Sequence, residues 1–298
     1  MATVYCIGET VYDIIFEHGR PLAARAGGSM LNSAVSLGRS GLIVEMITEL
    51  GDDRVGEMVM DFLEANGVSV SKVRPVKGFK TPVSLAFLDE QGNAEYSFYK
   101  MYPGERLNIS WPSPSAGDTV LFGSFYSLDP AVHDKIAGFV RRAKEAGALT
   151  VYDPNIRKNH LGEIHKLIAQ VEENISLASI VRGSDEDFTN LFGLHDEEEV
   201  YRRILDLGGQ NLIITQGIKG ASLFAGPVRL NIPARKVNVV STIGAGDSFN
   251  AGIIFGLVIK GFAGSDLSGI SLEDWKQILG YGISFAAEVC GSFDNYIS

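Results

Sequence analysis

The residues best suited to do chemistry stand together at positions 244–247: Gly244, Ala245, Gly246 and Asp247. They lie inside the stretch Ser241-Thr242-Ile243-Gly244-Ala245-Gly246-Asp247-Ser248-Phe249-Asn250-Ala251-Gly252. A β-branched run from Val237 to Val240 leads in, and a small-residue helical pattern leads out to about Lys260. The spacing predicts a strand that stops, a glycine turn, and a helix starting at Ala245 or Gly246. Such a helix start offers unpaired backbone N–H groups and the positive end of the helix dipole, which together bind phosphate or a developing anion. A carboxylate there repels anions, so Asp247 makes chemical sense as a base that takes a proton from a hydroxyl attacking phosphorus. The same residues also read as a helix cap and a closed turn. The chain has no G-x-x-x-x-G-K-[ST] loop, and Phe249 stands where a dinucleotide fingerprint needs its third glycine.

The elements that must position these residues alternate along the chain. Apolar strand patterns fall at Val4–Ile7, Ile43–Leu50, Val120–Phe122, Leu149–Tyr152, Ile180–Val181 and Asn211–Thr215. Helical patterns fall at Ser33–Gly41, from Gly51-Asp52-Asp53 to about Ala65, at Pro130–Ala146 and at Trp275–Val289. This order predicts an α/β fold with a doubly wound, mostly parallel sheet, whose sites lie at the C-terminal ends of the strands. Thr81–Leu88 and Ala94–Tyr99 read instead as a hairpin turned by Asp89–Asn93, which cannot be a parallel crossover and so leaves the main sheet. Polar groups follow several strand ends: Asp13 after Gly8, Asp153-Pro154-Asn155-Ile156-Arg157, and Ser184-Asp185-Glu186-Asp187. Taken alone, Asp13 is a turn residue, Asp53 and the acidic cluster at 185–187 cap helices, and Lys100 is a solvated lysine at a strand end.

Several short motifs in order are similar to those of the ribokinase-like (PfkB-type) carbohydrate kinases, most of all the fructokinase-like branch. Ser241–Asp247 resembles the family's D-T-x-G-A-G-D signature, and Gly27-Gly28-x-x-x-Asn32 its G-G-x-x-x-N signature. Gly8-Glu9-x-x-x-Asp13, Phe98-Tyr99-Lys100, Asp153-Pro154-Asn155-x-Arg157 and Thr215-x-Gly217-x-x-Gly220 add to the match, which runs from Gly8 to about Ala287. The resemblance implies a single ribokinase-like domain over 1–298, with lid insertions at 10–26 and 77–104. It implies an anion hole at Gly244–Gly246 and a catalytic base at Asp247. Sugar contacts would come from Asp13, Gly27, Gly28, Asn32, Lys100 and Arg157. ATP would lie near Thr215, Gly217, Gly220, Ser184 and Asp187, with Mg2+ organised through water by Asp187 or Glu186. Ser241 stands where the family has the aspartate of a monovalent-cation site, so that cation is not expected. Ser184 and Asp187 likewise depart from the family's N-x-x-E.

The expected activity is transfer of a phosphoryl group from ATP to a sugar, fructose first. Ribose, another ketose, a keto-deoxy acid or a nucleoside are alternatives, as is a sugar-binding regulator with weak activity. A lid would exclude water from the site, and its outer face would serve a homodimer. The composition agrees with a cytoplasmic enzyme that takes small molecules. Net charge is −10, against nucleic-acid binding, and no apolar run is long enough to span a membrane. Cys6 and Cys290 make no disulfide framework, and the five histidines show no metal-ligand spacing.

Overall fold

In a computed structural model, residues 2–88, 94–102, 104–156, 161–264 and 266–298 are described. The first strand, β1 (Thr3–Ile7), shows why the chain winds on both faces of a sheet. Val4 and Cys6 point into one apolar core, and Tyr5 and Ile7 into the other. A strand buried on both faces must be covered by helices on both sides, which is the condition of a parallel sheet.

Parallel to β1 run β4 (Ile43–Gly51) and β5 (Val68–Val76) on one side, and β8 (Thr119–Gly123), β9 (Leu149–Asp153), β10 (Ile180–Ser184) and β11 (Asn211–Thr215) on the other. Two antiparallel strands, β12 (Ala221–Ala225) and β13 (Val228–Ile232), complete the nine-stranded sheet at its far edge. Beneath one face lie α1 (Ser29–Arg39), α2 (Arg54–Ala65), α8 (Ala245–Ile259) and α9 (Leu272–Cys290), contributing Leu31, Val59, Ile254 and Ile278 to the first core. Beneath the other lie α3 (His133–Glu145), α5 (Ile168–Leu177), α6 (Asp185–Phe192) and α7 (Glu197–Asp206), contributing Phe139, Ile175, Phe188 and Ile204 to the second. A single-turn helix, α4 (Leu161–Ile164), precedes α5.

A second sheet of four strands, in the order β3-β2-β6-β7, stands off the main one. It is built from β2 (Val11–Glu17), β3 (Arg20–Gly27), β6 (Val83–Leu88) and β7 (Ala94–Tyr99). The last two pair antiparallel as expected for a hairpin, whose turn at 89–93 lies outside the described residues. The fold is therefore the expected doubly wound α/β sheet with a smaller β-sheet beside it.

Three local expectations change. Val237–Val240 is not a strand: no sheet edge runs beside it, and Val237, Val239 and Val240 stand exposed while the Val240 N–H is taken by the Cys290 carbonyl at 2.8 Å. β-propensity measures fit to a neighbouring strand, and here none is offered. Helix α1 begins at Ser29, four residues before Ser33, because Gly28 caps it and the Asn32 N–H reaches the Gly28 carbonyl at 2.9 Å. Helix α3 begins at His133, since Phe125–Leu128 is a separate 3-10 turn.

Candidate active site

Asp247 lies in the first turn of α8, and Gly244 is the residue before that helix, with φ of +80°. A side chain at Gly244 would be strained, and its Cβ would collide with the backbone of Asn295. The amides that follow open toward the C-terminal ends of the central strands. Gly246 is close-packed but less constrained: a Cβ there would sit 3.0 Å from both terminal nitrogens of Arg182.

Asp247 is buried, and Asn32 Nδ2 donates to its Oδ2 at 2.8 Å. Ser33 Oγ donates to the Asp247 carbonyl at 2.9 Å, and Ser36 Oγ meets Ser248 Oγ at 3.2 Å. Three polar contacts thus stitch α1 along α8 and fix the angle of the carboxylate. Asn32 Oδ1, the other half of the same amide, is buried without a protein partner. A donor from a bound molecule would satisfy it.

The G-G of the first signature has a geometric reason. A Cβ on Gly27 would fall inside the Asp13 carboxylate, and Gly28, at φ +123°, would collide with the Glu9 carbonyl. Asp13 sits on β2, partly buried, and accepts a hydrogen bond from Ser84 Oγ of β6. Gly27 therefore makes room for the Asp13 carboxylate, and Gly28 for the Glu9 backbone, just ahead of the helix that carries Asn32 to Asp247. Asp13 is a strand residue here, which sets aside its reading as a turn. Lys100, exposed just after β7, pairs with Glu9, which also accepts from the Tyr102 hydroxyl. Burial holds the Glu9 carboxyl above the usual range, against the pull of Lys100. Arg157 lies outside the described residues.

On the other side of Gly246 lies a residue that no motif singled out. Arg182, in β10 and buried, donates from Nη1 to Asp153 Oδ2 at 2.7 Å and from Nη2 to Thr215 Oγ1 at 2.7 Å. Asn250 of α8 donates to the same Asp153 oxygen at 2.6 Å. Arg182 Nε is buried without a partner. This puts a guanidinium under the helix start that offers its amides to an anion. A charged residue inside an apolar strand was the available signal.

Thr215 ends β11, and Gly217 (φ +54°) opens the turn that follows. Gly220 is structural, since a Cβ there would strike the end of β13. Ser184 caps α6 and Asp187 closes a capping box with it. The Asp187 carboxylate accepts from Ser184 N at 2.6 Å, Ser184 Oγ at 2.7 Å and Ile156 N at 2.7 Å. Burial, and Asp153 after it, push its carboxyl upward. Glu186 is exposed on the first turn of the same helix. Among the described residues no group of histidine, cysteine, aspartate and glutamate could hold a metal by itself. Of the two carboxylates expected near magnesium, Asp187 has both oxygens taken by Ser184 and Ile156, so Glu186 is the one that would reach such an ion, through water. Ser241 supplies no carboxylate for a monovalent cation, and its Oγ accepts the Ile243 N–H at 3.2 Å. Asp53 caps α2, as its place in the sequence implies. No helix among the described residues is long and apolar enough to cross a membrane.

The pfkB family carbohydrate kinase model matches residues 1–292 of this chain. A fructokinase from Rhizobium leguminosarum bv. trifolii is 30% identical over 263 residues, covering 85% of this chain and 79% of its own. An aminoimidazole riboside kinase from Salmonella typhimurium is 28% identical over 260 residues, covering 86% and 81%. Among solved structures, aminoimidazole riboside kinase from Salmonella enterica, complexed with aminoimidazole riboside and an ATP analog, superposes with a TM-score of 0.85. It is 23% identical, over 98% of this chain and 95% of its own. Fructokinase from Vibrio cholerae O395, in its fructose-, ADP- and calcium-bound form, superposes with a TM-score of 0.83 at 21% identity, over 99% and 94%. At those identities the structural likeness is one of fold.

Proposed function

This chain belongs to the pfkB family of carbohydrate kinases, ATP-dependent phosphotransferases, and from that premise we propose that it phosphorylates fructose with Asp247 as the base. The observation that carries this reading is the Asn32 amide holding the Asp247 carboxylate at the head of α8, one residue from Gly246. The base and the amides that receive the transferring group share one helix start.

In the reaction, the sugar lies between the lid and α1. Asp13 accepts hydrogen bonds from its hydroxyls, and Asn32 Oδ1 takes another. Asp247 removes the proton of the attacking hydroxyl as the oxygen approaches the γ-phosphorus of ATP. The amides at Gly244–Gly246 and the positive end of α8 hold the charge that spreads over the phosphoryl oxygens. Thr215, Gly217, Gly220, Ser184 and Asp187 would border the nucleotide, and magnesium, reached through water by Glu186, would lower the charge on its phosphates. Transfer of this kind is chiefly positioning and electrostatics, so a rigid α1–α8 seam is the main demand on the protein. Fructose is favoured as the acceptor by the similarity to a fructokinase at 30% identity. Lys100, pinned beside Glu9, brings a cation to the sugar side of the lid. The reading carries a cytoplasmic location, where ATP is supplied. Exposed Leu22, Phe87, Tyr99 and Met101 on and beside the second sheet support a homodimer formed lid to lid.

The test is ADP release from Mg-ATP with fructose, other ketoses, ribose, a keto-deoxy acid and nucleosides, each in sodium and in potassium buffer. Fructose gives the highest kcat/KM, with equal rates in the two buffers. A higher kcat/KM on a riboside would replace the sugar, and no turnover on any acceptor would overturn the reading.

A further inference from the structure

The chain does not end at α9. Its last eight residues, 291–298, run back across the molecule, and Asn295 lands on the helix start that Asp247 occupies. Asn295 is only 4% exposed, and its backbone lies so close over Gly244 that there is no room for a Cβ. The position of Gly244 is therefore set from outside the helix, by the tail.

Two bodies hold that tail. From the main domain, Arg39 of α1 donates to the Ile297 carbonyl at 2.7 Å and lies over the Tyr296 ring at 4.7 Å. Ser298 donates to Glu288 of α9 from both N and Oγ at 2.7 Å. From the second sheet, Arg25 of β3 donates through Nη1 to the Phe293 carbonyl, and lies 3.5 Å from Asn295 Oδ1. Arg25 faces Asp13 in the antiparallel β2–β3 register. Directly opposed residues on antiparallel strands carry their side chains on one face. The arginine that grips the tail thus stands beside the carboxylate assigned to the sugar.

We propose that Arg25 is a positioning residue for phosphoryl transfer: seated on the lid beside Asp13, it clamps the C-terminal tail onto Gly244, so that the lid's position over the sugar sets the geometry of the anion-binding turn. With the lid in place, the tail is held at Phe293 as well as at residues 296–298, and Gly244 is pinned. When the lid swings away, the Phe293 grip is lost and the turn loosens. The proposal rests on the kinase reading for its consequence, and on the described contacts for its mechanics.

The experiment compares wild type, Arg25→Ala and Arg25→Lys by steady-state kinetics and by hydrogen exchange. Arg25→Ala lowers kcat by about tenfold or more, because small misplacements of reacting groups are costly. The KM for ATP stays within about twofold, since a positioning defect falls on the transition state. Arg25→Lys recovers part of kcat, because an ammonium still reaches a carbonyl. Added guanidinium ion, at concentrations far below those that unfold proteins, restores turnover to Arg25→Ala and leaves Arg25→Lys unchanged. Amide exchange at residues 243–247 is faster in Arg25→Ala than in wild type, while exchange in the β8–β9 core is unchanged. Wild-type exchange at 243–247 in a folded Arg25→Ala protein would overturn the clamp, as would a wild-type kcat. If wild type itself turns over no acceptor, the kinase reading fails, and the exchange comparison still decides the clamp.

Discussion

Asn32 and Asp247 stand 215 residues apart in the chain and 2.8 Å apart in the fold, the amide nitrogen of one on the carboxylate oxygen of the other. The contact joins the first helix of the main domain to the eighth. It also joins the two halves of the candidate site, because Asn32 sits just over one turn from Gly27, which makes room for Asp13, and Asp247 one residue from the glycine that meets Arg182. The proposed sugar and phosphate sides therefore meet at one hydrogen bond.

Asp247→Asn keeps the shape and an acceptor for Asn32, and removes only the base. Removing a general base costs about 10²- to 10⁴-fold in rate. We expect kcat to fall within that span while ATP and fructose still bind with near wild-type affinity in calorimetric titration. Near-normal turnover would reject Asp247 as the base.

Asn32→Asp tests the hydrogen bond by charge. A second carboxylate beside Asp247 disfavours its ionised form, so the catalytic carboxyl titrates at higher pH. The acid limb of the kcat profile moves upward by about one pH unit or more. Asn32→Ala, which removes the donated hydrogen bond and adds no charge, moves the limb the same way by less. A pH profile that does not move in Asn32→Asp would show that the two side chains do not meet in the working enzyme.

Arg182→Met leaves Asp153 buried without its cation. Breaking a buried pair from one side costs about 3–5 kcal/mol. The loss should show as a lower urea midpoint with little change in slope. Pairing it with Asp153→Asn removes the stranded charge and recovers part of the stability. If the single variant is as stable as wild type, Arg182 is not the counter-charge of Asp153.

Much of this was legible before any coordinates. Val4–Ile7 and Leu149–Tyr152 read as strands because burial on both faces makes them continuously apolar. The turn at Gly244 and the helix start at Ala245 are legible because glycines before a helical pattern are local chemistry. The edges were harder. β5 mixes buried, half-buried and exposed residues and carries Pro75, β13 alternates half-buried and exposed ones, and neither stands out. Val237–Val240 misled for the opposite reason: it has strand composition but no strand beside it. Arg182 shows in the sequence only as a charge in an apolar strand, because its partners Asp153 and Thr215 lie 29 and 33 residues away and are brought together by parallel pairing of β9, β10 and β11. The tail's seat on Gly244 has no sequence signal, since it is a backbone contact.

Asp53 contributes one pH-dependent part of stability. Burial pushes its carboxyl up, but the Gly56 N–H, the Thr81 hydroxyl and N–H, and Lys80 together hold it below the usual aspartate range. A carboxyl depressed in the folded state stabilises above its unfolded pKa, near 4, and that contribution is lost as pH falls through the folded value. Asp53→Ala therefore costs about 1–2 kcal/mol at neutral pH, the price of a helix cap. The gap between variant and wild type narrows as the pH drops below about 4. Thermal melts across that range measure it, and a gap independent of pH would show that the carboxylate charge has no part in the cap.

Gly27→Ala separates the two halves of the site. The added Cβ falls where the Asp13 carboxylate now lies, and since both residues belong to the second sheet, it is the Asp13 side chain that must turn away toward Ser84. Nothing at Gly244–Gly246 is touched, because Gly27 approaches Asp13 and the anion turn lies beyond Asn32. The KM for the sugar should rise about tenfold or more, as for a lost charge-assisted hydrogen bond, while the KM for ATP holds. Asp13→Ala on the same background should then add little, since two changes at one contact are not additive. An additive double variant would mean that Gly27 and Asp13 act on the sugar separately, and that the glycine pair serves the start of α1 instead of the lid carboxylate.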